Sequence, residues 1–224
     1  MTLIREALLV AGKDLRIEAR SRVALWQVVP FAVLVLVLLA FAVGPDQAAL
    51  RHAAPGIFWV ALLFSTVLAI QRSVAVESGE GTRDGLRLSG IDPAGIFLGK
   101  AAAVGLQLLV LELVLWAGIT VLFDVRVHVA WLALVSCVLA TVGLACAGVL
   151  YGALSAGLRV RDTLLPILVL PVLAPVLLAG SKVWEAALSG NTASGTQWLK
   201  ILVPFALVYF VVGLVLYGPL QEAA

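Results

Sequence analysis

Long apolar runs separated by short polar segments dominate this chain of 224 residues. Six runs approach or reach the roughly 20 residues that a helix needs to cross a bilayer. They lie near residues 23–43, 56–76, 100–122, 129–155, 163–180 and 199–219. Because a lipid-embedded segment must satisfy its own backbone polar groups, these runs predict helices rather than open strands. The pattern therefore predicts an all-α integral membrane protein with about six transmembrane helices, forming one transmembrane domain over residues 1–224.

Composition supports a lipid environment. Hydrophobic residues make up 62% of the chain and charged residues 12%, and the mean hydropathy is +1.12. A soluble domain is about 45–50% apolar and about 25% charged. A water-soluble core of this size could not hide the excess apolar surface. We therefore expect a lipid bilayer around the chain and no nucleic acid partner.

The segment 2–20 has a different pattern from the six runs. One helical face carries apolar residues at spacings of four, three and four, namely Ile4, Leu8, Ala11 and Leu15. The remaining positions are largely polar or basic. Such a segment is typical of a helix that lies in the membrane interface. We predict an amphipathic helix on the cytoplasmic surface that leads into the first span.

The fifth run and the loop after it contain residues that break or end helices. The run holds three prolines, Pro166, Pro171 and Pro175. Prolines of this kind favour a helix that is kinked, or broken near its outer end. The following loop, 180–198, contains the amphipathic stretch KVWEAAL between glycine and serine residues. It predicts a separate short helix at the outer surface, with Trp184 and Trp198 as interface residues.

The distribution of basic residues predicts the orientation. An even number of spans leaves both termini on one side, and cytoplasmic loops are enriched in Lys and Arg. Eleven of the fifteen basic residues then lie on the side of the termini: Arg5, Lys13, Arg16, Arg20, Arg22, Arg72, Arg83, Arg87, Lys100, Arg159 and Arg161. Four lie on the other side: Arg51, Arg126, Lys182 and Lys200. Both termini are therefore predicted to be cytoplasmic.

The loop 77–99 would then face the cytoplasm. Its glycines and the Asp92-Pro93 pair indicate short turns. Between them, the stretch TRDGLRLS could form a short helix of mixed charge. This composition suits docking against a soluble partner, and an ordinary solvated loop is the alternative.

No ATP site is recognisable in the sequence. The nearest match to a phosphate-binding loop is GIFLGKA, residues 95–101. It lacks one residue between its glycines and has no Ser or Thr after the lysine. ATP hydrolysis must therefore come from another chain, and no catalytic residue or metal motif is assigned here. Lys100 is predicted to anchor the third span at the interface.

Glu112 is the one clear carboxylate deep inside a predicted span. Ionisable residues within a membrane are costly, so they are functional candidates by default. Glu112 could line a pathway, remain protonated, or form a structural polar contact, with Gln107 and Thr120 of the same span as candidate partners. An intramembrane enzyme is a further class, but acid–base catalysis normally needs a second positioned group.

A few other residues could touch a ligand on the outer side. His52 and His128 could each be an axial ligand of a heme iron. Trp59 could face an outer cavity, because it follows what reads as a Pro55-Gly56 turn. Most of the other tryptophans lie near span ends, where an aromatic belt explains them. Cys137 and Cys146 lie on opposite faces of one helix and are expected to be apolar fillers.

Three stretches resemble one protein family. The segment APGIFWVALLFSTVLAIQR (54–72), preceded by Val43-Gly44-Pro45, resembles the early part of the sequences of the CcmB family. The stretch LPILVLPVLAPVLL (165–178) is similar to the proline-bearing fifth span of that family. The loop GTRDGLRLSGIDPAGIFLGK (81–100) is similar to its cytoplasmic loop. Together these stretches touch most of the chain in the expected order.

The resemblance implies a six-span, ABC-2-type permease in the bacterial inner membrane that serves cytochrome c maturation. Such a subunit is expected to form a homodimer and to bind a CcmA-like ATPase, which alone would bind ATP. CcmC-like and CcmD-like membrane proteins and a CcmE-like heme chaperone complete the assembly. Heme would be the transported or transiently bound ligand, with no cofactor held covalently. The coupling loop would present five residues to the ATPase: Glu80, Gly81, Arg83, Asp84 and Leu86.

Several functions remain open at this point. The permease could move heme itself, or it could transmit ATP-driven motion that releases the loaded chaperone. Other ABC-2-type permeases carry similar loop patterns, so a lipid or a drug is an alternative substrate. A scaffold that assembles heme-handling partners without transport is another alternative.

Overall fold

The computed structural model describes residues 2–21, 24–77, 90–155 and 161–223, and these residues contain no β-strand. A short π-helical turn, Ala24–Val28, follows the first helix. The α-helices are, in chain order, α1 (Leu3–Ser21), α2 (Val29–Val43), α3 (Gln47–Glu77), α4 (Pro93–Phe123), α5 (Ala130–Ser155), α6 (Arg161–Ser189) and α7 (Thr192–Ala223).

Six helical segments are long and apolar enough to span a bilayer. They are Trp26–Val43, Gln47–Arg72, Pro93–Phe123, Ala130–Ser155, Ile167–Ser189 and Thr192–Gln221. This confirms the predicted fold class, an all-α integral membrane protein with six spans.

Polar caps place three helix starts earlier than the apolar pattern predicts. Asp46 Oδ1 accepts a hydrogen bond from Ala48 N at 3.0 Å, and Asp92 Oδ1 accepts one from Ala94 N at 2.8 Å. Asn191 Oδ1 does the same for Ser194 N at 3.1 Å. Such side chains satisfy the free N–H groups of a first helical turn. The apolar pattern of the sequence does not detect these first helical turns, because they contain polar residues.

The second span shows the largest effect of such a cap. Helix α3 begins at Gln47 rather than near residue 56, so Pro55 lies inside the helix. The predicted Pro55-Gly56 turn is wrong. A proline inside a helix removes its own N–H and crowds the carbonyl four residues earlier, but membrane helices tolerate this where neighbouring groups satisfy the freed carbonyl. The Asp46 cap stabilises the helix start.

The predicted coupling loop is shorter than 77–99, because α4 already begins at Pro93. Gly90 forms a turn with a φ of +66°, which suits glycine. Five residues of the loop, Glu80, Gly81, Arg83, Asp84 and Leu86, lie outside the described residues. Their role as an ATPase contact therefore stays a prediction.

Helix α6 corrects the prediction for the fifth span and its loop. It runs without a break from Arg161 to Ser189, past all three prolines. The stretch KVWEAAL is its last part and not a separate surface helix. The chain reverses at Gly190, whose φ is +76°, and α7 starts at Thr192. The loop between the fifth and sixth spans is therefore a tight turn.

Helix α5 packs against four helices of the bundle, α3, α4, α6 and α7. Small residues on α5 permit these close approaches. A Cβ atom added to Gly148 would clash with Ile70 Cδ1 on α3, and one added to Gly143 would lie 2.5 Å from Phe205 Cδ1 on α7. Helix association in membranes relies on such close packing.

Helix α1 packs along the first turns of α4, where two glycines make room for it. A Cβ atom on Gly99 would lie 2.6 Å from the carbonyl oxygen of Ala7 and 2.6 Å from Val10 Cβ. Gly95 similarly approaches Glu6 at 3.1 Å. The glycines of the failed phosphate-loop match are therefore packing sites on a helix.

The predicted helix over 2–20 is confirmed, but the residues of its apolar face differ in burial. Ala11 is buried, whereas Ile4 is 72% exposed and Leu8 is 68% exposed. The placement of α1 in the membrane interface stays a prediction. Lys100, predicted to anchor the third span at the interface, is 3% exposed beneath α1 and close enough to Asp14 for their charges to interact.

Candidate functional site

Glu112 lies inside the helix bundle and joins two helices. Its side chain on α4 is 3% exposed, and its Oε1 accepts a 2.8 Å hydrogen bond from Thr141 Oγ1 on α5. The predicted partners are wrong: Thr120 Oγ1 donates to the carbonyl of Ala117, and Gln107 borders a groove between α1 and α4. The partner on a neighbouring helix could not be read from spacing within one span.

Cys137 lies next to this contact and close to a third helix. It lies one turn before Thr141 on α5, and its thiol is beside both the Glu112 carboxyl group and the Trp184 indole of α6. Both cysteines are free. They belong to the apolar core, so the expectation of two apolar fillers is confirmed, and Cys137 in addition lies beside the Glu112 carboxyl group.

Four aromatic rings form a cluster beside these residues. Phe58 stacks on Trp184 with ring centroids 4.1 Å apart, and Trp116 meets Trp184 edge-on at 4.9 Å. Phe58 also meets Trp59 edge-on at 5.5 Å. We call these four residues the aromatic cluster. Such pairs contribute about 0.5–1.5 kcal/mol each beyond the area that they bury.

Two sequence predictions are corrected by this cluster. Trp59 is 1% exposed and Trp184 is 0% exposed. Trp59 therefore does not face an outer cavity, and Trp184 is not an interface residue. Both residues are buried because α3 begins early and α6 runs past residue 180, so the two helices extend beside each other.

We expect Gly180→Ala to destabilise the protein by about 1–3 kcal/mol, the usual cost of overpacking. The new Cβ atom would lie 2.5 Å from the Trp59 ring, and that ring is enclosed on all sides. Gly56→Ala is the matched control, since a Cβ atom there meets nothing within 4 Å. Unfolding in mixed detergent and SDS micelles measures both variants. Equal stability of the two would contradict the tight Trp59–Gly180 contact.

Polar and charged residues gather at the end of the bundle opposite α1, which we call the His128 end. Helix α4 separates the two ends by about 45 Å, given a rise of 1.5 Å per residue. Arg51 of α3 forms an ion pair with Asp124, the residue after α4. Gln47 Nε2 donates a 2.9 Å hydrogen bond to the carbonyl of Phe123.

A cavity of about 450 Å³ opens at the His128 end. Among the residues that the structure describes, those that line the cavity are Arg51, Asp124, Val125, Arg126, His128 and Leu188. This volume is within the range of about 300–1,000 Å³ that is typical of small-molecule sites. The sequence places these residues far apart, and the long helices α3, α4 and α6 bring them together.

The segment that carries His128 is fixed against the end of α6. The backbone N–H groups of His128 and Val129 both donate to the carbonyl of Ala187, at 3.1 and 3.0 Å. The imidazole Nδ1 lies 2.6 Å from the carbonyl oxygen of Leu188. His52 is exposed on α3 and is not among the described residues that line the cavity. Of the three predicted outer-side residues, the structure therefore brings only His128 to this cavity.

Within residues 2–21, 24–77, 90–155 and 161–223, no three His, Cys, Asp or Glu side chains come together in a way that could hold a metal ion. The candidate sites are the buried Glu112 contact and the cavity at the His128 end.

Comparisons with known proteins cover almost the whole chain. The sequence model of one family, described as CcmB protein, matches residues 5–217. Heme exporter protein B of Haemophilus influenzae is 34% identical over 179 residues, covering 80% of each chain. Heme exporter protein B of Paracoccus denitrificans is 33% identical over 208 residues, covering 91% of this chain and 90% of that protein. The Pseudomonas aeruginosa protein of the same name is 30% identical over 201 residues, covering 89% and 90%.

Proposed function

The chain belongs to the CcmB family, and from this premise we propose that it is the membrane subunit of a heme export system that serves cytochrome c maturation. A partner ATPase supplies the energy, since no phosphate loop is present in the sequence. The observation that carries the proposal is the match to heme exporter protein B along most of both chains, on a chain with six helices that could span a membrane.

We propose a bacterial inner membrane location with both termini in the cytoplasm. The uneven distribution of Lys and Arg supports this orientation. It directs the α1 end and the loop between α3 and α4 towards the cytoplasm, and the His128 end towards the outer side.

A CcmA-like ATPase is the proposed partner at the α1 end. Helix α1 packs on the first turns of α4, immediately after the coupling loop. A movement of that loop would therefore act on α1 and α4 together. A nucleotide state shifts such an equilibrium only through contacts that differ between states. CcmC-like and CcmD-like membrane proteins, a CcmE-like chaperone and a second copy of the chain complete the proposed assembly.

Complementation tests the proposed function. In a bacterium that lacks its own gene for heme exporter protein B, expression of this chain should restore mature cytochrome c. The rescue should disappear when the partner ATPase carries an inactive catalytic site. No rescue by the correctly inserted chain would refute the heme role and favour another substrate, such as a lipid. Rescue with the inactive ATPase would indicate a scaffold instead.

The coupling loop carries a separate prediction. Exchanging its charges, with Arg83→Asp and Asp84→Arg, should weaken co-purification of the ATPase about tenfold, equivalent to about 1.4 kcal/mol, while membrane insertion is unchanged. The matched control exchanges an exposed ion pair of α6, with Lys182→Glu and Glu185→Lys, whose native atoms lie 2.7 Å apart. If the loop variant retains the ATPase as well as the control does, the loop is not the docking element.

A further inference from the structure

The imidazole of His128 is held in one tautomer. A carbonyl oxygen can only accept a hydrogen bond, so the 2.6 Å contact between Nδ1 and the carbonyl of Leu188 requires the proton on Nδ1. The neutral ring then has its lone pair on Nε2. Histidines that ligate metals usually have this arrangement, in which the other nitrogen donates to a backbone carbonyl or carboxylate.

The surroundings of this ring suit an amphipathic anion. Arg51 and Arg126 line the same cavity, whose one lining carboxylate among the described residues, that of Asp124, pairs with Arg51. Val125 and Leu188 add apolar surface. Guanidinium groups bind carboxylates strongly because they can form two parallel hydrogen bonds. The cavity therefore combines a metal-ligating nitrogen, two groups that bind carboxylates and apolar contacts.

We propose that the cavity at the His128 end is a heme site, in which His128 Nε2 is an axial ligand of the iron and Arg51 and Arg126 bind the propionates. The inference rests on the proposed function, which supplies heme as the ligand, and names the residues of this chain that would hold it. It also separates His128 from His52, which is exposed on α3 and does not line the cavity.

Hemin titration of the purified full-length chain tests the iron ligand. Wild-type protein should give the absorption and resonance Raman signature of histidine-ligated heme. His128→Ala should remove that signature and raise the dissociation constant about tenfold, whereas His52→Ala should behave as wild type. Added imidazole should restore the signature in His128→Gly. A wild-type signature in His128→Ala, or its loss in His52→Ala, would overturn the assignment.

A matched pair of ligands tests the two arginines. Arg51→Gln and Arg126→Gln should each weaken hemin binding several-fold, and neither should weaken binding of hemin dimethyl ester, whose propionates are uncharged. Equal losses with both ligands would show that the arginines do not bind propionates. Lys182→Gln is the control, because this cation is on α6 outside the described lining of the cavity.

Complementation separates this inference from the proposed function. If the wild-type chain restores cytochrome c maturation but binds hemin without histidine ligation, the site is wrong and the proposed function stands. If it does not restore maturation, the proposed function fails. Thermal unfolding of each variant in detergent identifies any loss of binding that results from misfolding, and imidazole rescue of His128→Gly excludes a purely structural role for that ring.

Discussion

Trp184→Ala is expected to destabilise the protein by about 3–5 kcal/mol, the usual cost of removing a large buried aromatic side chain. Trp184 has no exposed surface, stacks on Phe58 and meets Trp116 edge-on. Its removal would leave a cavity between α3, α4 and α6. In a membrane, lost packing contacts are the main cost, because lipid competes for apolar surface.

Unfolding in mixed detergent and SDS micelles measures this effect. Trp131→Ala is the matched control, since Trp131 is 49% exposed and its loss should cost about 0.5 kcal/mol or less. Trp184→Phe should recover part of the stability, because a smaller ring can still stack on Phe58. If Trp184→Ala is as stable as Trp131→Ala, Trp184 is an interface residue, as its sequence context suggested.

Glu112→Ala is the second large change, with an expected loss of about 2–4 kcal/mol from a cavity and an unsatisfied hydroxyl group. Thr141 would lose the acceptor that lies 2.8 Å from its Oγ1. Glu112→Gln retains an acceptor oxygen at the same position. We therefore expect Glu112→Gln to keep the stability of the wild type and to support cytochrome c maturation at the wild-type level.

A double-mutant cycle isolates the contact itself. Glu112→Leu and Thr141→Val, alone and together, should give a coupling free energy of about 0.6 kcal/mol, with an upper limit of about 1.7 kcal/mol for such bonds in membranes. If Glu112→Gln abolishes maturation while its stability is unchanged, the carboxyl group must titrate during function. That outcome would contradict a structural role for Glu112.

The fold class followed directly from apolar run lengths, because lipid imposes one solution on such segments. Helix ends were predicted less well. The prediction for the second span began after Pro55, although the Asp46 cap starts α3 at Gln47. For the fifth span the sequence predicted a helix that is kinked or broken, and the break is absent because α6 continues past the prolines to Ser189. In both cases helical turns outside the most apolar stretch were missed.

The candidate site depended on contacts between spans, which one sequence does not reveal. The unusual placement of Glu112 was visible in the sequence, but its partner Thr141 is on the next helix. Lys100 looked like an anchor at a span end, yet α1 covers it because Gly95 and Gly99 admit that helix. A glycine pair four residues apart was the signal for this close approach.

The cavity at the His128 end shows the same limit. The sequence placed His52 and His128 on one side of the membrane and could not rank them. The difference arises from the end of α6, where the carbonyl of Leu188 accepts the bond from the imidazole. The prediction ended this helical stretch too early, so the acceptor was not foreseen.

Sidedness of the two ends tests the central claim most directly. Single cysteines introduced by His52→Cys and Arg87→Cys can be labelled in intact cells with a maleimide that does not cross membranes, against a low background because Cys137 and Cys146 are buried. In cells with an intact inner membrane, the cysteine at position 52 should react with the maleimide. The cysteine at position 87 should react only after the inner membrane is permeabilised. Labelling of position 87 without permeabilisation would place the coupling loop on the outer side, where it could not contact the ATPase, and would contradict the proposed permease.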